Sequence, residues 1–207
     1  MRRVQKFGLI LVGLCVAAVI LWTTALFRYS VEGNLSNLKE QTQHWLNRGN
    51  LVPMEYSVRL YDPVSLDNLV YVPMEVGPEQ NLGYIRLERG FGGRCKIAGT
   101  SYSTGSFYTG VLDAEGERRL MFLGRNRSGE ITKAEFHWDG GDEYENAVPA
   151  GGYTYELAIP QEAVFLVCVP VDGNIPLGPV LLEQIALYDA QERNITDRFP
   201  LSGGWIQ

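Results

Sequence analysis

The sequence predicts a mainly β protein: one N-terminal transmembrane helix, a short juxtamembrane helix, then an antiparallel β-sandwich or jelly-roll domain. Three observations predict it. Residues Gly8–Phe27 run without a single charge, and a helix of that length covers about 30 Å, the thickness of a bilayer's hydrocarbon core. From Leu51 onward, short runs rich in Tyr, Val, Ile, Leu and Phe are separated by Gly, Pro, Asn and Asp, the texture of strands and turns. No helical pattern of about 10 to 15 residues lies between those runs, which argues against a parallel βαβ sheet.

The apolar run has three readings. A soluble core helix would carry a polar face at the 3.6-residue period, and this run has none before Thr23 and Thr24. A cleaved secretory signal would have a shorter apolar region followed by small residues, whereas Leu26 and Phe27 continue past the only weak cleavage site, Thr23-Thr24-Ala25. An uncleaved signal-anchor fits the length best. Arg2, Arg3 and Lys6 precede the run and only Arg28 follows it, so the positive-inside rule keeps residues 1–7 in the cytoplasm. Residues 8–28 then form a single pass through the cell membrane. Residues 29–50 form a juxtamembrane helix or stalk, and residues 51–207 an extracytoplasmic domain.

Val31, Leu35, Leu38, Thr42 and Trp45 follow at steps of 4, 3, 4 and 3, the spacing of one helical stripe. Asn34 or Ser36 is the expected N-cap and Gly49-Asn50 the stop. Such a stripe either packs on its own domain or pairs two copies through Val31, Leu35, Leu38 and Trp45; with barely two heptads, packing on the domain is the better reading.

Ten strands are expected over Glu55–Tyr61, Leu69–Met74, Leu82–Glu88, Arg94–Ala98, Ser106–Leu112, Arg118–Leu123, Ile131–Trp138, Tyr153–Ile159, Ala163–Val171 and Val180–Asp189. Asp113-Ala-Glu-Gly116 and Asn126-Arg-Ser-Gly129 are turns with Gly placed for positive φ. Tyr153, Tyr155, Leu157 and Ile159 alternate with polar residues, which describes a strand with one wet face. Ala163–Val169 has no polar residue, which predicts a central strand covered on both faces.

Composition excludes some functions. From Tyr29 to the end there are 14 Lys/Arg against 24 Asp/Glu, a poor surface for nucleic acid or anionic headgroups. Cys95 and Cys168 are too few for a disulfide scaffold and are read as separate buried thiols, with one bridge as the alternative. A sortase-type transpeptidase needs Cys, His and Arg, and His137, Cys168 and Arg193 or Arg198 occur in the chain. The cysteine, however, sits in the apolar string Val164-Phe-Leu-Val-Cys168, where burial makes a thiol unreactive. No serine elbow and too few His and Cys for closed zinc ligation leave no catalytic residue to nominate. His137 should face solvent between inward Phe136 and Trp138.

The acidic loop with Asp139, Asp142, Glu143 and Glu145 is the Ca²⁺ candidate, because oxygen ligands on a Gly-containing loop suit that ion. Its spacing departs from the EF-hand pattern, and a solvated turn is the simpler account. Tyr102–Gly110 mixes aromatic and hydroxyl residues, as a carbohydrate- or peptide-contacting loop would, or as an ordinary strand with a Gly bulge. Phe91-Gly-Gly-Arg94 lacks the ending of a phosphate loop. The expectation is a non-enzymatic envelope protein that binds, scaffolds or assembles with a protein or cell-wall carbohydrate partner. The alternative is a membrane-tethered hydrolase of wall glycan or peptide, which would show a concave pocket with close carboxylates or a carboxylate beside His137.

Overall fold

The computed structural model describes residues 2–114, 116–139, 152–180 and 184–199. The molecule is mainly β, 45% strand and 18% helix, with every sheet antiparallel. Helix α1 spans Arg2–Arg28 and α2 Leu38–Asn47. The strands are β1 (Val58–Leu60), β2 (Val64–Leu66), β3 (Leu69–Val76), β4 (Asn81–Arg89), β5 (Cys95–Ser103) and β6 (Phe107–Ala114). They continue with β7 (Glu117–Arg125), β8 (Lys133–Trp138), β9 (Tyr153–Ala158), β10 (Val164–Pro170), β11 (Gly178–Pro179) and β12 (Ile185–Tyr188). Each expected strand is present in part or whole, because period-2 alternation and Gly-bearing turns are local signals. In both expected turns Gly takes positive φ: Gly116 at 88°, with its N–H on Asp113 Oδ1 at 2.9 Å, and Gly129 at 67°.

The strands form three sheets, not the two of a simple sandwich or jelly roll. Sheet A runs β1-β3-β4-β5 with β2 also on β3, sheet B runs β10-β7-β6-β11, and sheet C runs β12-β8-β9. Helix α2 covers one face of sheet A, where Leu38 joins Val70, Val72, Met74, Val76, Ile85 and Leu87. The other face of sheet A meets sheet B through Tyr71, Leu82, Tyr84, Tyr108, Met121, Leu123 and Leu166. The far face of sheet B meets sheet C through Phe107, Leu120, Phe122, Phe136, Leu157, Phe165 and Leu187. The order of layers is therefore α2, A, B, C.

Stacking explains the all-apolar strand. Strand β10 lies at the edge of sheet B, not at the centre of its sheet as expected. Its Val164, Leu166 and Cys168 nevertheless point into one core, and Phe165, Val167 and Val169 into the other. A strand between two cores has no wet face on which to place a polar residue.

One charge is buried at the A–B junction. Glu75, 3% exposed, accepts hydrogen bonds from Tyr61 Oη at 2.6 Å, Arg125 Nε at 3.0 Å and Arg127 Nη2 at 2.8 Å. Arg125 also donates to the carbonyls of Gly105 (3.2 Å) and Gln80. Burial alone would push the Glu75 carboxyl up, but the three donors outweigh it and hold it below the ordinary value.

Residues 29–50 depart from the single expected stripe. Val31 lies in a β-bridge to Cys95, Leu35 has φ 61°, and α2 begins only at Leu38. Asn side chains redirect the chain. Asn37 Oδ1 accepts from Glu32 N at 2.9 Å, Asn37 Nδ2 donates to Ser30 O at 2.9 Å, and Asn34 Oδ1 accepts from Ser36 N at 3.0 Å. These local bonds compete with helix and win here. Neither Asn34 nor Ser36 is the N-cap; Asn37 holds that position without a side-chain cap bond. Val31 and Leu38 are buried in the domain, as the packing reading of the stripe expects, and are not surface residues that a second copy could use.

Helix α1 carries its apolar side chains into open space. Leu14, Val19, Ile20, Leu21 and Phe27 are 58–87% exposed, and none joins a core. Among the described residues no helix is long and apolar enough to cross a membrane.

Candidate functional site

Two places on the molecule are built for contact: the junction between α1 and the β-domain, and an open groove on the outer face of sheet C.

At the junction, Val31 N donates to Cys95 O and Cys95 N to Val31 O, both at 2.9 Å. This clasps the exit of α1 to the start of β5. Arg94 reinforces it, with Nε on Tyr29 O at 2.7 Å and Nη2 on Ser30 O at 3.1 Å. The Gly-rich turn before Arg94, expected to be only a turn, supplies the room. A Cβ on Gly90 would lie 2.1 Å from the Tyr29 ring, and one on Gly33 would lie 2.4 Å from the Gly93 carbonyl oxygen. Gly90→Ala should therefore push the Tyr29 ring off its seat at a cost of about 1–3 kcal/mol. Limited proteolysis should show cleavage near Arg28 several-fold faster, with the β-core still protected; equal cleavage rates would refute this close packing.

The groove has a volume of about 740 Å³. Strand β8 presents Glu135, His137 and Asp139, β12 and the residue before it present Gln184, Ala186 and Tyr188, and the following turn presents Asn194, Thr196 and Asp197. Alternation along β8 explains the arrangement: Phe136 and Trp138 are buried and His137 is exposed, as expected. His137 Nδ1 lies 3.0 Å from Thr154 Oγ1 across the β8–β9 pair. The Glu135 carboxylate beside the Tyr188 hydroxyl, with burial adding to it, holds the phenol above its ordinary value. Lys133 Nζ sits 4.6 Å from the centre of the Tyr188 ring. Three carboxylates, one imidazole and a tyrosine edge favour a cationic or hydroxyl-rich ligand and disfavour anions.

Of the Ca²⁺ candidate residues, Asp139 lines this groove, whereas Asp142, Glu143 and Glu145 lie outside the described residues. Among the described residues no three His, Cys, Asp or Glu side chains are grouped so that they could hold a metal ion. Cys95 and Cys168 are free thiols on sheets A and B. Burial pushes the Cys168 thiol up to about 12, so at pH 8 only about one in ten thousand is ionised. Tyr102–Gly110 spans the end of β5, a bend and the start of β6. Asn126, in the expected Asn126-Arg-Ser-Gly129 turn, is buried; its Nδ2 donates to Ile131 O at 2.8 Å and its Oδ1 accepts from Ile131 N at 3.1 Å.

What the fold and these two places define is a mainly β antiparallel domain joined to helix α1 through the Val31–Cys95 bridge and the Arg94 hydrogen bonds. The chain matches no protein-family model, no curated protein and no solved structure. Sequence reasoning missed Arg94 and Gly90 as the clasp, and Tyr188 and Asp197 as groove residues. The only local signal was the Gly-rich turn, since the partners are about 50 to 65 residues apart in the chain.

Proposed function

We propose that the chain is a single-pass membrane-anchored extracytoplasmic module that presents the sheet C groove to a protein or cell-wall carbohydrate partner. One observation carries the reading. The described apolar side chains of α1, from Leu14 to Phe27, stand exposed while the β-domain closes three cores without them. Exposed apolar surface on that scale calls for a non-aqueous environment. The helix is about 40 Å long at its 27 residues, and Gly8–Phe27 is uncharged. Arg2, Arg3 and Lys6 favour a cytoplasmic N-terminus, which puts the domain outside. Added protease should digest the domain on intact protoplasts, and alkaline carbonate should leave the protein in the membrane pellet. Full protection or full release discards the proposal.

A second reading, a membrane-tethered hydrolase, has the shared placement of Glu135, His137 and Asp139 in its favour. It requires that the purified protein release soluble fragments from wall glycan or peptide. It further requires that Asp139→Asn or Glu135→Gln cut that release about 100-fold. No release by the unsubstituted protein eliminates it.

A further inference from the structure

Among the described residues of the β-domain, the loop after α2 carries the most exposed large apolar side chains. Leu51 is fully exposed, Val52 74% and Met54 59%. This loop is fastened at both ends. Asn47 Oδ1 accepts from Met54 N at 2.7 Å and Asn47 Nδ2 donates to Met54 O at 2.8 Å, so one side chain closes the loop. Asn50 N donates to Asn47 O at 2.9 Å, and Gln43 Oε1 accepts from Tyr56 N at 3.1 Å. A fastened loop that holds three apolar side chains in water is organised for a contact outside the chain.

Its position says which contact. A concavity of about 290 Å³ is lined by Arg28 at the end of α1, by His44, Trp45 and Arg48 of α2, and by Lys96 of β5. The two helix ends therefore lie side by side. Leu51 follows Arg48 by three residues, a reach of at most about 10 Å. Arg48 stacks on Trp45 at 3.7 Å from the ring centre, and Lys96 Nζ lies 5.6 Å from the Tyr29 ring. Cations beside Trp and Tyr, with apolar side chains next to them, match the chemistry of a headgroup layer over acyl chains. Lys96 Nζ is paired with the Glu88 carboxylate at 2.9 Å, which leaves Arg28 and Arg48 as the cations of this concavity that complement lipid phosphate.

We infer that Leu51, Val52 and Met54 form a second, interfacial membrane contact beside α1, with Arg28 and Arg48 facing the lipid phosphates. The inference rests on the anchor reading above. Two contacts fix the tilt of the domain, because a body held at one point swivels and a body held at two does not.

The test uses the full chain with Cys15→Ala, since the buried thiols of Cys95 and Cys168 label slowly while folded. A nitrobenzoxadiazole probe is placed on Val16→Cys in α1, on Leu51→Cys, or on Ala158→Cys. Ala158 is exposed and lies on sheet C, the layer farthest from α2. Each protein is reconstituted into phosphatidylcholine–phosphatidylglycerol vesicles with brominated acyl chains. The expected result is quenching at Leu51→Cys at least half that at Val16→Cys, with none at Ala158→Cys. Quenching at Val16→Cys alone overturns the second contact and leaves the anchor standing. No quenching at Val16→Cys removes both readings. A blue-shifted but unquenched probe at Leu51→Cys means that a protein surface, such as a second copy, covers the loop, and also overturns the inference. Val52→Cys repeats the measurement independently of any defect peculiar to Leu51→Cys.

Discussion

Phe122→Ala will lower the unfolding free energy of the domain by about 3–5 kcal/mol, the range for emptying a fully buried aromatic site. Phe122 is 0% exposed in β7, stacks on Phe107 at 5.6 Å and meets Phe165 edge-on at 5.3 Å. All three rings project from the middle sheet toward sheet C, so the cavity opens where neither layer can collapse without moving the other. Nearby backbone is equally tight: a Cβ on Gly124 would lie 2.5 Å from both the Phe107 and Phe165 rings. Urea titration of the detergent-solubilised chain measures the loss, with Phe27→Ala as the comparison. Phe27 is 87% exposed, and its truncation should shift stability by no more than about 0.5 kcal/mol. A loss below about 1.5 kcal/mol for Phe122→Ala would mean that the B–C core is not close-packed at its centre.

Glu75→Gln will cost about 2–4 kcal/mol at pH 7, because it leaves Arg125 and Arg127 facing a neutral amide at a buried site. Arg127 is half-exposed, which keeps the figure below that of a fully enclosed triad. The pH dependence carries the sharper signature. The Glu75 carboxyl is held below its ordinary value of 4.5 in the folded chain. Its stabilisation is therefore complete above that ordinary value, where the unfolded chain is also ionised. It disappears as pH falls through the lower folded value. The substituted protein should lose less stability than the parent between about pH 5 and pH 3. Part of the slope will persist, since hydrogen bonds from Arg193 hold Asp189 below its ordinary value too. Identical acid slopes would show that Glu75 is not ionised in the native state.

The strands were readable because their signals are short-range. Tyr153–Ala158 alternates, and Gly116 and Gly129 mark turns that any local pattern shows. Which core a residue joins is not a local property. Val164-Phe-Leu-Val-Cys168 reads correctly as doubly covered, yet nothing in it distinguishes the centre of one sheet from the edge of a middle sheet. The segment after α1 misled for a different reason. Val31, Leu35 and Leu38 keep helical spacing, but Asn34 and Asn37 spend their amides on turns and Val31 is captured by Cys95, far along the chain. The groove was half visible: His137 and Asp139 stand out on β8, whereas Tyr188, Asn194 and Asp197 arrive only when β12 pairs beside it.

The Val31–Cys95 clasp also decides how the molecule bears force. Any pull applied between α1 and the β-domain passes through Tyr29 and Ser30 before reaching a core side chain. The load falls first on two main-chain hydrogen bonds and on the Arg94 fork, which hold over a few ångströms and then let go together. Gly90 and Gly33 keep that seat shallow enough to re-form when the strain ends. A pull would thus spend itself at this mechanical fuse, and the stacked sheets behind it would stay folded.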